Sequence, residues 1–193
     1  MRLSSLLALA FASVGLAETP PGFVHQVPGR LDVIYGTNVV DPPGERFTKQ
    51  QTATMPTYGT SDVPLNGTYL IMMIDIDLPA NFGGLPAGQR GIVLHGLFRD
   101  VKYNGRQSST GSYILAPGTG TQPSSYFGPS PPAENPPHPH NYIELLFDQP
   151  ANFAVPASEQ QVVNARLPFN YTRFVAAAAL QPPIRANYFT VQG

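Results

Sequence analysis

The run YLIMMIDIDLP, starting at Tyr69, constrains this chain most. Residues 69–75 are strongly apolar and read as a central strand, closed by Pro79 and the Gly83-Gly84 pair. Other apolar runs are punctuated in the same way. Residues 31–35 form a first strand ending at Gly36, and residues 91–98 (GIVLHGLF) another before Arg99-Asp100. Residues 142–147 give a short strand ahead of Gln149-Pro150, and residues 184–191 a last one. Residues 104–112 are polar and small, which predicts a loop. Residues 172–180 (TRFVAAAAL) carry the one convincing helix, because alanine costs least there, and Pro182-Pro183 end it. The 22 prolines and 18 glycines cluster between apolar runs, so they mark loops between strands rather than disorder. Repeats, heptads and charge blocks are absent. The pattern predicts one mostly β domain with a late helix.

The first residues read differently. Arg2, an apolar run at 6–12 and Gly15-Leu16-Ala17 predict a secretory signal peptide over 1–17, cut after Ala17. The run is too short to span a bilayer, and Glu18, Thr19, Pro20 and Pro21 stop any helix. The expected mature domain is 18–193, outside the cell or within the secretory pathway or vacuole, with no transmembrane anchor. Loss of Arg2 takes the basic residues from 11 to 10 against 12 acidic ones, for a net charge of −2. That offers no basic field for nucleic acid or an anionic bilayer. Cysteine is absent, so the fold must rest on its core, and thiol chemistry is excluded. Asn66-Gly67-Thr68 and Asn170-Tyr171-Thr172 are glycosylation sequons, the first beside a turn glycine.

Strand alternation sorts the polar residues. Asp75 and Asp77 point the same way if their strand continues, and His140, Tyr142 and Glu144 share a side of theirs. His95 sits within an apolar run beside Gly96, where an unpaired imidazole would cost about 1–3 kcal/mol. Ahead of His140 lies GPSPPAENPPHPH, with six prolines. Each fixes φ and restricts the residue before it, so this loop has little entropy left to lose when a ligand docks. Taken singly, these residues also fit turn acids, a satisfied core histidine and a surface loop.

Together the motifs resemble the phosphatidylethanolamine-binding protein family. YLIMMIDIDLP is similar to its strand ending in Asp-x-Asp, and GIVLHGLF to its strand with a central histidine. YFGPSPP followed by HPHNYIELLF resembles its proline loop and the His-x-Tyr entering a strand. LPFNYTRF and RANYFTVQ resemble its Phe-Asn segment and closing strand. The resemblance implies a large central β-sheet packed against a smaller sheet, peripheral helices, and a small anion pocket at the sheet's edge. It implies ligand-binding roles for Asp75, Asp77, His95, His140 and Tyr142, with Pro131 and Pro132 as one wall and Tyr126 beside them. Four departures stand out. Arg173 is displaced by one from the family's Asn-Thr-Arg run, which removes the ground for carrying over its salt bridge. Asn141 stands where many members have arginine, and His138 lies outside the pattern and is given no role. An export signal also departs from the cytosolic members.

These readings imply a secreted binder of phosphorylated head groups or similar small anions. His95 and His140 would donate to the phosphate while aspartates hold their other nitrogens. The alternative is an inhibitor of a serine carboxypeptidase or other protease, acting through a surface loop or terminus. An enzyme is the third class. His95, His140 and Asp75 could form a two-His-one-carboxylate metal set, but His-Glu-x-x-His and Gly-x-Ser-x-Gly are both absent. The expectation is therefore no catalytic residue, no metal and no cofactor.

Overall fold

The computed structural model describes residues 17–193, so the signal peptide predicted over 1–17 lies outside the described residues apart from Ala17. Among the described residues there are nine strands: β1 (Asp32–Tyr35), β2 (Asn38–Val39), β3 (Glu45–Phe47), β4 (Thr57–Thr60), β5 (Tyr69–Pro79), β6 (Arg90–Gln107), β7 (Tyr113–Ala116), β8 (Pro139–Asp148) and β9 (Arg185–Gln192). Three short helices accompany them: α1 (Ala80–Gly83), α2 (Gln160–Ala165) and α3 (Tyr171–Ala177). Hydrogen bonds join the strands in the order β2-β1-β4-β7-β6-β5-β8-β9-β3.

The sheet curls because β6 serves two neighbours. Its first part pairs with β5, as in Leu97 opposite Met72, and its second part with β7, as in Tyr103 opposite Leu115. The smaller half thereby lies over one face of the larger. Val33, Tyr35, Tyr58 and Leu115 from the smaller half share a buried cluster with Ile71, Met73, Leu146 and Phe189. On the other face Leu70, Met72, Ile74, Ile143 and Leu145 pack against Val163 of α2 and Tyr171 and Phe174 of α3. Residues 69–75 are apolar without alternation for this reason: both faces of β5 are covered. The mostly β architecture, with a smaller sheet against a larger one, is thus present.

Several boundaries differ from those read in the sequence. The predicted loop at 104–112 begins only after Gln107, because pairing with β7, rather than burial, holds the exposed polar end of β6 extended. The late helix starts at Tyr171 and closes at Ala178; Ala179 takes φ +52°, and the alanine run does not continue the helix. Asn170 caps it, its side chain accepting from the Arg173 backbone N–H at 2.9 Å. Arg173 does form an ion pair, 3.0 Å from the buried Glu159.

Candidate functional site

The site forms where β5, β6 and β8 meet the proline loop. Asp75 lies opposite Tyr142 in the β5–β8 ladder, which places His140 diagonally across from it. His140 Nδ1 is 2.8 Å from Asp75 Oδ2. The Tyr142 ring stacks between those of His140, at 6.5 Å, and Phe189, at 5.4 Å. His95 arrives through a β-bulge. Met73 pairs with Gly96 and Ile74 with Leu94, which leaves His95 as the extra residue. The bulge aims its imidazole edge-on at Tyr142, 5.0 Å between centroids. Asp75, His95, His140 and Tyr142 therefore converge from three strands.

The second nitrogen of His140 is not open. Glu134, carried on the proline loop, accepts from His140 Nε2 at 3.0 Å. Arg90, at the start of β6, grips the same carboxylate, at 2.9 Å to Oε1 and 2.8 Å to Oε2. Arg90 also donates to the Asp77 carbonyl at 2.8 Å. His140 thus stands between two carboxylates, an arrangement that calls for a proton on both nitrogens. Burial opposes its charge, but the bonds to Asp75 and Glu134 outweigh burial and raise its pKa above the usual histidine value. The bond from Arg90, assisted by His140, overcomes burial and holds Glu134 down to about 2.

His95 differs from the expectation that an acid would hold it. Its Nδ1 donates to the Phe127 carbonyl at 2.6 Å, and its own carbonyl accepts from the Phe127 N–H at 2.7 Å. Burial lowers its pKa, so the ring is neutral, with its proton on Nδ1 and a lone pair on Nε2. An incoming group must donate to that nitrogen rather than accept from it. The Phe127 ring stacks on His95 at 5.2 Å, with the Arg166 guanidinium over its face at 5.8 Å, and remains 49% exposed. It forms an aromatic lip beside the site.

The two aspartates share one corner but hold different partners. β5 does continue past Asp75, with a register shift before Leu78, and Asp77 N–H bonds Asp75 Oδ1 at 2.8 Å. Asp77 accepts from the Asn141 backbone and side chain, each at 2.8 Å, and lies 3.1 Å from His138 Nε2. Pro131 is buried and Pro132 half-buried at the loop's start, where Gly193 packs against the Pro132 carbonyl and leaves no room for a Cβ. Tyr126 faces Tyr35 and Thr52. Its hydroxyl donates to the Thr52 carbonyl at 2.6 Å, and the ring packs on the layer between the sheet halves. Burial raises its pKa.

Comparison with known proteins bears on the family and the fold. Residues 36–189 match the phosphatidylethanolamine-binding protein family. The chain belongs to that family. A relative from Talaromyces stipitatus, named phomoidride biosynthesis cluster protein N, is 27% identical over 96% of both chains. A protein of the same name from an unspecified fungal species is 47% identical over 35% of this chain and 32% of its own. Among solved structures, a carboxypeptidase Y inhibitor in complex with its cognate proteinase superposes with a TM-score of 0.61 at 18% identity, over 86% of this chain and 84% of that one.

Within this family member, the sequence alone did not single out Glu134, Arg90, Phe127 or His138 as site residues. Glu134 sits between prolines in the quoted loop, and its partner Arg90 is 44 residues away. Glu144, two residues beyond Tyr142 on the same face, is fully buried between the sheet halves. It accepts from the Tyr58 and Tyr35 hydroxyls at 3.0 and 3.3 Å, and burial lifts its pKa to about 8 against those two bonds. Among the described residues, no group of three or more His, Asp or Glu side chains is arranged to hold a metal ion.

Proposed function

We propose that this protein binds small oxyanions, phosphorylated head groups among them, at the outward nitrogen of His140. The observation that supports this reading is an imidazole with a carboxylate on each nitrogen, Asp75 at 2.8 Å from Nδ1 and Glu134 at 3.0 Å from Nε2. A charge-assisted hydrogen bond of this kind is about twice as strong as a neutral one. The neutral His95 would accept a hydrogen bond from a protonated oxygen of the ligand, and an ethanolamine ammonium would sit beside Asp77. Phe127 would cover the apolar part of the ligand. Pro131 and Pro132 would hold the loop before the ligand arrives.

Isothermal titration with phosphorylethanolamine tests the reading. The expected result is saturable binding that weakens by at least about tenfold in His140→Ala, the loss of one charged hydrogen bond. Equal affinity in the two proteins contradicts it. In this reading the protein is a binder and not a catalyst. Inhibition of a serine carboxypeptidase is the second reading, prompted by the fold shared with the carboxypeptidase Y inhibitor. A peptidase panel separates the two, since inhibition that persists in His140→Ala would place the activity outside this site. The fungal relatives' name adds biosynthetic small molecules to the candidate ligands. The domain at 18–193 would act after export, with Asn66 and Asn170, both exposed, as glycan acceptors.

A further inference from the structure

Glu134 occupies the place where the proposed oxyanion would bind. The His140 side chain is 1% exposed while Glu134 is in place, so no external anion reaches Nε2 unless that carboxylate leaves. Glu134 itself is held at the surface, its side chain 17% exposed and that of Arg90 33%. It belongs to the loop before β8 and not to a strand. A cavity of about 220 Å³, lined by Arg90 and Glu134 together with Pro79, Ala80, Gly88 and Gln89, adjoins the pair and has room for a displaced side chain.

The geometry points to a carboxylate seat made by Arg90 and His140, which Glu134 fills in the unliganded protein and which a carboxylate-bearing ligand enters by displacing Glu134. The inference rests on the proposed oxyanion site and names its ligand chemistry. Three contacts define the seat. Both oxygens of one planar carboxylate lie on Arg90, at 2.8 and 2.9 Å, and one of them also lies on His140 at 3.0 Å. Planar bidentate pairing of this kind is what a guanidinium does best. Charge acts in the same direction. With Glu134 withdrawn, Arg90 and His140 lose the carboxylate that both of them face, while Asp75 and Asp77 stay behind them, and an external carboxylate restores those contacts.

Nothing in the sequence reading assigned Arg90 or Glu134 to the site. Their roles differ: Arg90 touches the ligand, whereas Glu134 competes with it. The apparent affinity is then the intrinsic affinity scaled by the fraction of molecules with the seat open.

The test is titration of the full protein and its Glu134→Ala variant with succinate and, separately, with phosphorylethanolamine. Succinate is expected to bind Glu134→Ala at least about tenfold more tightly than the parent, as removal of a competing internal group requires. Glu134→Gln, which keeps the side chain's shape without its charge, is expected to show a gain of the same sign. Adding Arg90→Gln to Glu134→Ala is expected to cancel it. A melting curve for each variant confirms folding. If parent and Glu134→Ala bind phosphorylethanolamine but take succinate with equal affinity, the carboxylate seat is overturned while the oxyanion reading stands. A gain confined to phosphorylethanolamine also overturns it. If neither probe binds either protein, the oxyanion reading fails and the seat fails with it.

Discussion

At the scale of single residues, the site is governed by which nitrogen holds which proton. His95 and His140 are both buried, yet their charges differ because their partners differ. A backbone carbonyl cannot compensate the desolvation of an imidazolium, whereas two carboxylates can. The pH dependence of binding follows from this. The pKa of His140 is raised, so its charge is complete below the ordinary histidine value and is lost as pH rises through the higher folded value. Affinity for phosphorylethanolamine should therefore fall on the alkaline side of about pH 6.5, where an unperturbed histidine titrates. Flat affinity measured by calorimetry from about pH 6 to 9 would contradict the role given to His140. His140 and Tyr142 were legible on a common side because strand alternation places them there, and Asp75 was tied to them through the family resemblance. The carbonyl partner of His95 was not, since Phe127 sits 32 residues away on a segment with no strand pattern. Glu134 was hidden because loop prolines report stiffness and carry no information on where the loop's side chains point.

At the scale of elements, Glu144 ties three strands together, since its carboxyl on β8 meets Tyr35 on β1 and Tyr58 on β4. The folded chain holds this proton up to about pH 8, whereas the unfolded chain releases it near the ordinary glutamate value. Its contribution to stability is full below that ordinary value and falls as pH rises towards about 8, then stays level. Glu144→Gln should remove that slope. By urea denaturation the variant should gain on the parent between about pH 5 and 8, by an amount on the order of 4 kcal/mol for a displacement this large. Parallel stability profiles would show that Glu144 is not held protonated. The long central strands were legible because both their faces are covered, which makes them apolar throughout. The two- to four-residue strands β2, β3, β4 and β7 were not, because runs so short carry no period of their own. The polar end of β6 was read as loop for a related reason: its extension is enforced by a neighbouring strand.

At the scale of the whole molecule, three layers account for the placement of the site. Helices α2 and α3 cover one face of the larger half, the smaller half covers the other, and the site lies where the end of β5 meets the start of β8 and the proline loop. A chain without cysteine depends on these two apolar layers. The sequence foresaw the layered β architecture because five separated motifs matched one family's order; it gave no route to the curl through β6, which depends on pairing. The proposed export is tested on the full chain. Expression in a eukaryotic secretory host should place the protein in the medium, shortened to begin after Ala17, with mass added at Asn66 that an endoglycosidase removes. Intact retention of residues 1–17 on the intracellular protein would refute the exported reading. The central claim is tested most directly by nitrogen NMR of the His140 ring, with and without phosphorylethanolamine. The account predicts protons on both nitrogens at neutral pH and a shift of the Nε2 resonance as the ligand's oxygen replaces that of Glu134. A neutral ring, or an Nε2 signal unmoved at saturating ligand, would contradict it.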